Sequence, residues 1–83
     1  MTDEGHAAEL ERERRDLGTA ERDLAEGAHR VQRQRELISR LSEQGHDTRQ
    51  ARALLENLQQ MLDAWREHRN LILERIAVLE HSK

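Results

Sequence analysis

Aliphatic side chains recur at every seventh position of the first half of the chain: Leu10, Leu17, Leu24, Val31 and Ile38. Taken as the a positions of a heptad repeat, they imply these d positions: Glu13, Ala20, Gly27, Gln34 and Leu41. A sustained heptad repeat predicts a left-handed supercoiled helix whose a and d side chains, hereafter the seam, face a partner helix. Because several d residues are small or polar, the seam of this helix is thin. Gly27 lacks a side chain, so it either admits a bulky one from the partner helix or is merely tolerated within α-helical structure.

The second half of the chain is more apolar. Its stripe alternates spacings of three and four residues: Ala51, Leu55, Leu58, Leu62, Trp65, Arg69, Ile72, Ile76 and Leu79. Further apolar residues widen it: Leu54, Met61, Leu71, Leu73 and Val78. Residues 2–44 hold seven large apolar side chains, whereas residues 45–83 hold twelve. The narrow stripe of the first helix therefore cannot cover the broad stripe of the second.

A short turn separates the two stripes at Gly45-His46-Asp47. Gly45 suits the left-handed position that follows a helix C-terminus. Asp47 can cap the next helix, and Gln50, three residues later, completes a capping-box pattern. A connection this short forces neighbouring helices to lie antiparallel. The sequence therefore predicts an all-α, coiled-coil-like antiparallel two-helix hairpin: one domain over 1–83, with helices over about 4–44 and 48–80 and a turn at 45–47.

Composition narrows the functional classes. The chain contains no cysteine, which excludes disulfides and thiolate metal sites. Its first residues, Met1 to His6, are polar and acidic, unlike a signal or transit peptide. No apolar run approaches the roughly 18 residues that a membrane span requires. We therefore expect a cytoplasmic protein with no membrane partner.

One spacing is compatible with metal chemistry. Glu26 and His29 form a Glu-x-x-His motif, which places a carboxylate and an imidazole on one helix face, as in di-iron helical bundles. The antiparallel register, however, sets Trp65 rather than a second carboxylate opposite Glu26. A two-helix hairpin also offers no deep pocket in which a catalytic group can be tuned. We therefore predict a protein that is not an enzyme and has no catalytic residue, cofactor or metal, with a helical-bundle metal-binding protein as an alternative.

Charge is distributed unevenly along the chain. Residues 1–26 contain nine acidic and four basic groups, whereas residues 27–54 contain six basic and three acidic groups. The hairpin tip is therefore basic and its open end acidic. A basic tip can contact phosphates, so a small nucleic-acid-binding protein is another alternative. Net acidity and the lack of an aromatic residue at the tip for base stacking disfavour it.

Several segments of the central region resemble one group of proteins. They are Glu26-Gly27, Arg33-Gln34-Arg35-Glu36-Leu37-Ile38, Gly45-His46-Asp47-Thr48 and Glu67-His68-Arg69. Together they resemble small uncharacterised helical-hairpin proteins of alphaproteobacteria, and the Gly-His-Asp-Thr turn is the most specific element. The resemblance covers about the middle half of the chain. It implies a hairpin and a bacterial origin and assigns no site.

The unequal stripes indicate a partner. We interpret the chain as a protein–protein interaction or oligomerisation module that acts through the apolar face of the second helix. The simplest assembly is a homodimer that forms a four-helix bundle, although a different protein can serve as the partner. The predicted interface residues are Leu54, Leu58, Met61, Leu62, Trp65, Ile72, Leu73, Ile76 and Leu79.

Overall fold

The protein is a rod made of two helices. A computed structural model describes residues 3–81, with side chains for residues 5–81. Helix α1 runs over Asp3–Glu43 and helix α2 over Arg49–His81, so each end lies one residue from its predicted position. The rod measures 64 × 14 × 14 Å. The all-α two-helix hairpin is therefore confirmed, while residues 1, 2, 82 and 83 of the predicted domain lie outside the described residues.

The two helices are antiparallel and meet along the predicted seams. Arg14 near the start of α1 donates a hydrogen bond to Glu80 near the end of α2. Every seam position of α1 from Leu10 to Leu41 is buried or half-buried, and so is every stripe position of α2 from Ala51 to Leu79. Neither helix, over residues 3–81, contains a segment long and apolar enough to cross a membrane.

The core of the hairpin consists of two separate clusters. The cluster near the open end contains Ala20, Ile72 and Ile76, with Leu10 and Leu17 packed against it. The central cluster contains Leu24, Val31 and Leu62, with Leu55, Leu58 and Trp65 packed against it. Arg69 occupies the stripe position between them, and its guanidinium lies 3.9 Å from the Glu21 carboxylate. The Arg69–Glu21 pair thus separates the two apolar clusters.

Small residues of α1 face large residues of α2. Ala20 shares a cluster with Ile72, which is 0% exposed. At Gly27, an added Cβ would lie 3.0 Å from Cδ1 of Leu62, so Leu62 fills the place that glycine leaves open. The predicted admission of a bulky side chain at Gly27 is confirmed. The side chain that enters is that of Leu62. Trp65, which the sequence placed opposite Glu26 and so level with Gly27, lies one helical turn beyond Leu62.

Polar seam residues fix how the helices align. The buried Gln34 side chain donates a 2.8 Å hydrogen bond to the Ala51 carbonyl in the first turn of α2. Near the open end, Arg75 donates to Glu13 at 2.9 Å. Sliding one helix along the other would break both bonds. Polar groups at seam positions specify register in this way at some cost in stability.

The turn ends α1 in a Schellman motif. Gly45 has φ of +75°, as predicted, and its N–H donates to the Ser42 carbonyl at 3.1 Å. The N–H of His46 donates to the Leu41 carbonyl at 2.9 Å. These two bonds satisfy carbonyls that the helix end leaves free. Arg40 in the last turn of α1 complements the negative end of the helix dipole.

The Asp47 carboxylate caps α2 through Arg49. Its Oδ1 accepts the backbone N–H of Arg49 at 3.0 Å, and its Oδ2 accepts Nη2 of the same residue at 2.7 Å. The carboxylate therefore satisfies a free N–H at the start of α2, as predicted for a capping residue. The N-cap position itself, however, is occupied by Thr48, whose carbonyl accepts the Arg52 N–H at 2.9 Å, so the capping box of Asp47 and Gln50 was wrong. The Arg49 side chain and backbone N–H together hold the pKa of Asp47 below its usual value.

The left-handed backbone at Gly45 gives the first prediction. Replacing Gly45 with valine should destabilise the hairpin by about 1–2 kcal/mol, because an L side chain is strained at positive φ. An added Cβ has open space around it, so any loss is conformational and not steric. Asparagine tolerates this conformation, and Gly45→Asn should therefore cost less than Gly45→Val. Urea denaturation measures the order; equal losses for both variants would contradict it.

The cap at Asp47 gives a pH-dependent prediction. Since the pKa of Asp47 is lower in the folded than in the unfolded chain, its ionised form stabilises the fold above the unfolded value of about 4. This stabilisation is lost as the pH falls through the folded-state pKa. Asp47→Ala should therefore lower the melting temperature at pH 7 and lower it less at pH 3. A difference from the parent that is unchanged between the two pH values would show that the carboxylate charge does not contribute.

Candidate interaction surface

The exposed large apolar side chains of residues 5–81 all lie on α2. They are Leu54 (49% exposed), Met61 (52%), Leu71 (53%), Leu73 (42%) and Val78 (66%). On α1 the leucine, valine and isoleucine side chains are all buried or half-buried. This distribution agrees with the prediction that the narrow stripe of α1 leaves part of α2 uncovered.

The predicted interface residues fall into three groups. Leu62, Ile72 and Ile76, which were predicted as interface residues, are buried between the helices of one hairpin. Leu58, Trp65 and Leu79 are half-buried, whereas Leu54, Met61 and Leu73 are exposed. A stripe drawn from hydrophobicity alone merges residues that face α1 with residues that face solvent.

Leu71 and Val78 were absent from the predicted interface. They are as exposed as the residues that were included, and they lie seven residues apart, as do Leu54 and Met61. This second pair of heptad spacings is the signal in the sequence that identifies them. It places their side chains outside the seam and on the outer surface of α2.

A groove runs between the helices beside the exposed side chains of α2. Its central part has a volume of about 230 Å³; Gly27, Leu58, Met61, Leu62 and Trp65 form its apolar surface. Toward the tip, Leu37 and Leu54 continue this surface, and the two parts share Leu58 and Arg30. We call this the groove side of the hairpin.

The rim of the groove is formed by charged residues of α1. Asp23 and Glu26 lie toward the open end, and Arg30, Arg33 and Arg40 lie toward the tip. Glu26 accepts a 3.0 Å bond from Arg30 where the sign changes. The uneven charge of the sequence thus becomes an acidic and a basic segment along one rim of an apolar groove.

Trp65 links the groove to the core. Its ring packs against the central cluster and also lines the groove. The His68 ring meets it edge-on, with 6.1 Å between the ring centroids. As the single aromatic residue of the Phe, Trp and Tyr type, Trp65 reports any change in the cover over the groove through its fluorescence.

The opposite side of the hairpin is polar. Arg14 and Glu80 form an ion pair of 3.1 Å across the helices, and Asp63 pairs with Arg66 at 3.2 Å. Leu73 precedes Glu80 by one heptad and therefore points to this side, away from the groove. Leu73 is therefore exposed on a different side of α2 from Leu54 and Met61.

The Glu26 and His29 side chains of the Glu-x-x-His motif are both exposed. Glu26 is engaged by Arg30, and His29 points to solvent. Within the described part of the chain, no group of three or more His, Asp or Glu side chains is placed to hold a metal ion. Comparison with known proteins gives no match, whether to a protein family, to a curated protein or to a solved structure.

Gly18 and Gly27, both in the interior of α1, make a matched pair for the next prediction. At Gly18 an added Cβ would meet only the flexible end of Arg22, at 3.7 Å. Gly18→Ala should therefore stabilise the hairpin by up to about 1 kcal/mol through helix propensity. At Gly27 the same gain is opposed by Leu62 Cδ1 at 3.0 Å. Overpacking a filled site typically costs about 1–3 kcal/mol, so Gly27→Ala should be neutral or destabilising.

Thermal or urea denaturation of the two alanine variants compares them directly. Equal stabilisation by both would mean that Leu62 does not occupy the space above Gly27. The comparison is internal to one helix, and both substitutions have the same effect on the unfolded chain.

Proposed function

We propose that this hairpin is a non-enzymatic protein–protein interaction module that self-associates through the groove side of α2, with two copies forming a four-helix bundle. The observation that carries the proposal is the row of half-exposed apolar side chains on α2. Monomeric proteins rarely leave a large contiguous apolar patch in water, and such patches mark interaction sites.

The size of the patch supports association. Burying the exposed half of a Leu, Met or Val side chain contributes about 0.8–1.5 kcal/mol. A homodimer would bury Leu54, Met61, Leu71 and Val78 from each copy, which sums to about 6–12 kcal/mol. This is comparable to the estimated association cost of about 4–15 kcal/mol. Covering the half-buried Leu58 and Trp65 as well would make the free energy of association more favourable.

The shape of the rod supports a binding role over catalysis. In the described residues the two helices lie side by side, and the grooves between them open to solvent. A catalytic site generally needs an enclosed volume in which water is excluded and charges are tuned. A rod only 14 Å across provides a long surface instead, which suits packing against another helical rod.

The basic tip supports nucleic-acid binding as a second candidate. Arg33 and Arg40 line the tip end of the groove, and Arg35 lies on the same part of α1. Arg49 is already paired with Asp47, which removes one tip charge from this role. Gel retardation of duplex and single-stranded DNA and RNA separates the candidates. Retardation that weakens steeply with salt favours nucleic acid.

The assembly itself is the fourth prediction. Sedimentation equilibrium should give a dimer at micromolar concentration, and the melting temperature should rise with protein concentration. Trp65 emission should shift to the blue as the dimer forms. Molar salt should weaken association modestly, because surface ion pairs contribute under about 1 kcal/mol each.

Two double variants test which surface of the hairpin mediates self-association. Leu54→Gln with Met61→Gln should shift the dimer to monomer, because both side chains belong to the exposed patch. Gln32→Ala with Glu36→Ala, on the exposed surface of α1, serves as the control and should leave association unchanged. A folded monomer at all concentrations, with Trp65 emitting as a water-exposed indole, would overturn self-association.

A further inference from the structure

Helix α2 carries a second heptad stripe beside its seam. The stripe alternates spacings of three and four residues: Leu54, Asn57, Met61, Ala64, His68, Leu71, Arg75 and Val78. In the register in which Leu62 and Ile76 are a positions, these residues are the g and c positions, about 100° around the helix from the seam. We call this set the outer stripe. A helix with two such stripes packs against two neighbours at once.

The outer stripe is symmetric about residue 66. Leu54 and Val78 lie equally far from it, as do Met61 and Leu71, so apolar residues correspond to apolar residues. The remaining pairs match as well. Asn57 corresponds to Arg75, polar to polar, and the small Ala64 corresponds to the large His68. A stripe with this symmetry is complementary to a reversed copy of itself.

The charged residues of α1 on the same side also differ between the two ends: they are mainly acidic toward the open end and basic toward the tip. Asp23 and Glu26 on the groove rim are continued toward the open end by Asp16 and Glu9, at heptad spacings from Asp23. Arg12 is the one basic residue in that half of the rim. Toward the tip the charged rim residues are Arg30, Arg33 and Arg40. A copy reversed about the level of residue 66 brings Asp16 and Glu9 of one rim near Arg33 and Arg40 of the other, while Asp23 and Glu26 lie beside the axis.

Only one two-fold arrangement satisfies both patterns. Two hairpins can stack by their groove sides with the axis perpendicular to the helices, which sets α2 on α2 and α1 on α1, each pair antiparallel. With the axis along the helices, α2 of one copy would lie on α1 of the other. That arrangement would set the apolar outer stripe on the charged rim and align equal charges.

We propose that the occupant of the groove side is a second copy of this chain, packed antiparallel with the two-fold axis passing beside residue 66 of α2. This inference rests on the proposed self-association and specifies its geometry. Met61 of one copy then faces Leu71 of the other, and Leu54 faces Val78. The acidic and basic rim segments select this orientation, while the apolar pairs hold the copies together.

Engineered cysteines test the geometry, because the chain has none of its own. One chain carries Met61→Cys and another carries Leu71→Cys; both positions are more than half exposed and lie outside the core. A disulfide requires Cα atoms about 4.4–6.8 Å apart. On oxidation, the mixed chains should form a disulfide-linked heterodimer in high yield.

Two control mixtures define the face and the register. Leu54→Cys with Leu71→Cys should link poorly, because the proposed register separates these positions by seven residues, about 10 Å along the helix. Met61→Cys with Leu73→Cys should also link poorly, because Leu73 lies on the polar side. Each single cysteine chain is oxidised alone as well, and little disulfide is expected.

The outcomes separate the inference from the proposed function. Selective linkage of Met61→Cys to Leu71→Cys supports both. A dimer in sedimentation that links Met61→Cys mainly to itself would place the axis at residue 61 and overturn the geometry while self-association stands. A dimer with no selective linkage would have the same consequence. A monomer in sedimentation with no linkage at all would overturn both.

Discussion

The close approach of α2 to α1 at the small residues of the α1 seam is the contact on which the rest of the structure depends. Leu62 sits against Gly27, and Ile72 packs in the same cluster as Ala20. Large side chains of one helix thus enter spaces left by missing side chains of the other, which buries apolar area without overpacking. The small seam residues that allow this packing also make α1 a narrow helix. A helix that contributes space rather than bulk cannot extend far enough to cover the flanks of its partner, so Leu54 and Met61 stay exposed.

Polar groups interrupt this apolar packing and fix the axial alignment of the two helices. Gln34 bonds to the backbone of α2, and Arg75 bonds to Glu13. Among the described residues, Oε2 of Glu13 and Nε of Arg69 are buried without a hydrogen-bond partner, and each such group costs stability. The seam is therefore specific in register but modest in strength. A hairpin built in this way is stabilised by any further apolar burial, which the proposed second copy on the groove side would provide.

In the proposed dimer the two stripes of α2 have different tasks. The seam, through Leu62 and Ile72, holds the hairpin together, and the outer stripe, through Met61 and Leu71, holds two hairpins together. The charges of α1 set the relative orientation of the two copies. They contribute little to the affinity, because ion pairs at a protein surface are weak. In such an assembly the apolar pairs supply the affinity and the charged rims set the orientation. One two-fold arrangement is therefore favoured over its alternatives.

The sequence by itself determined the elements and their facing surfaces. The heptad repeat fixes which side chains of each helix turn inward, and Gly45 and Asp47 fix where the chain reverses, because these depend only on local spacing and backbone preference. The axial alignment was decided by the tertiary structure. Periodicity gives the angle of a side chain around its helix but not the level at which it meets the other helix, so the choice of Leu62 over Trp65 at Gly27 needed the packed pair. The division of the apolar residues of α2 into buried Ile72, outward Leu71 and oppositely directed Leu73 likewise depends on where α1 lies.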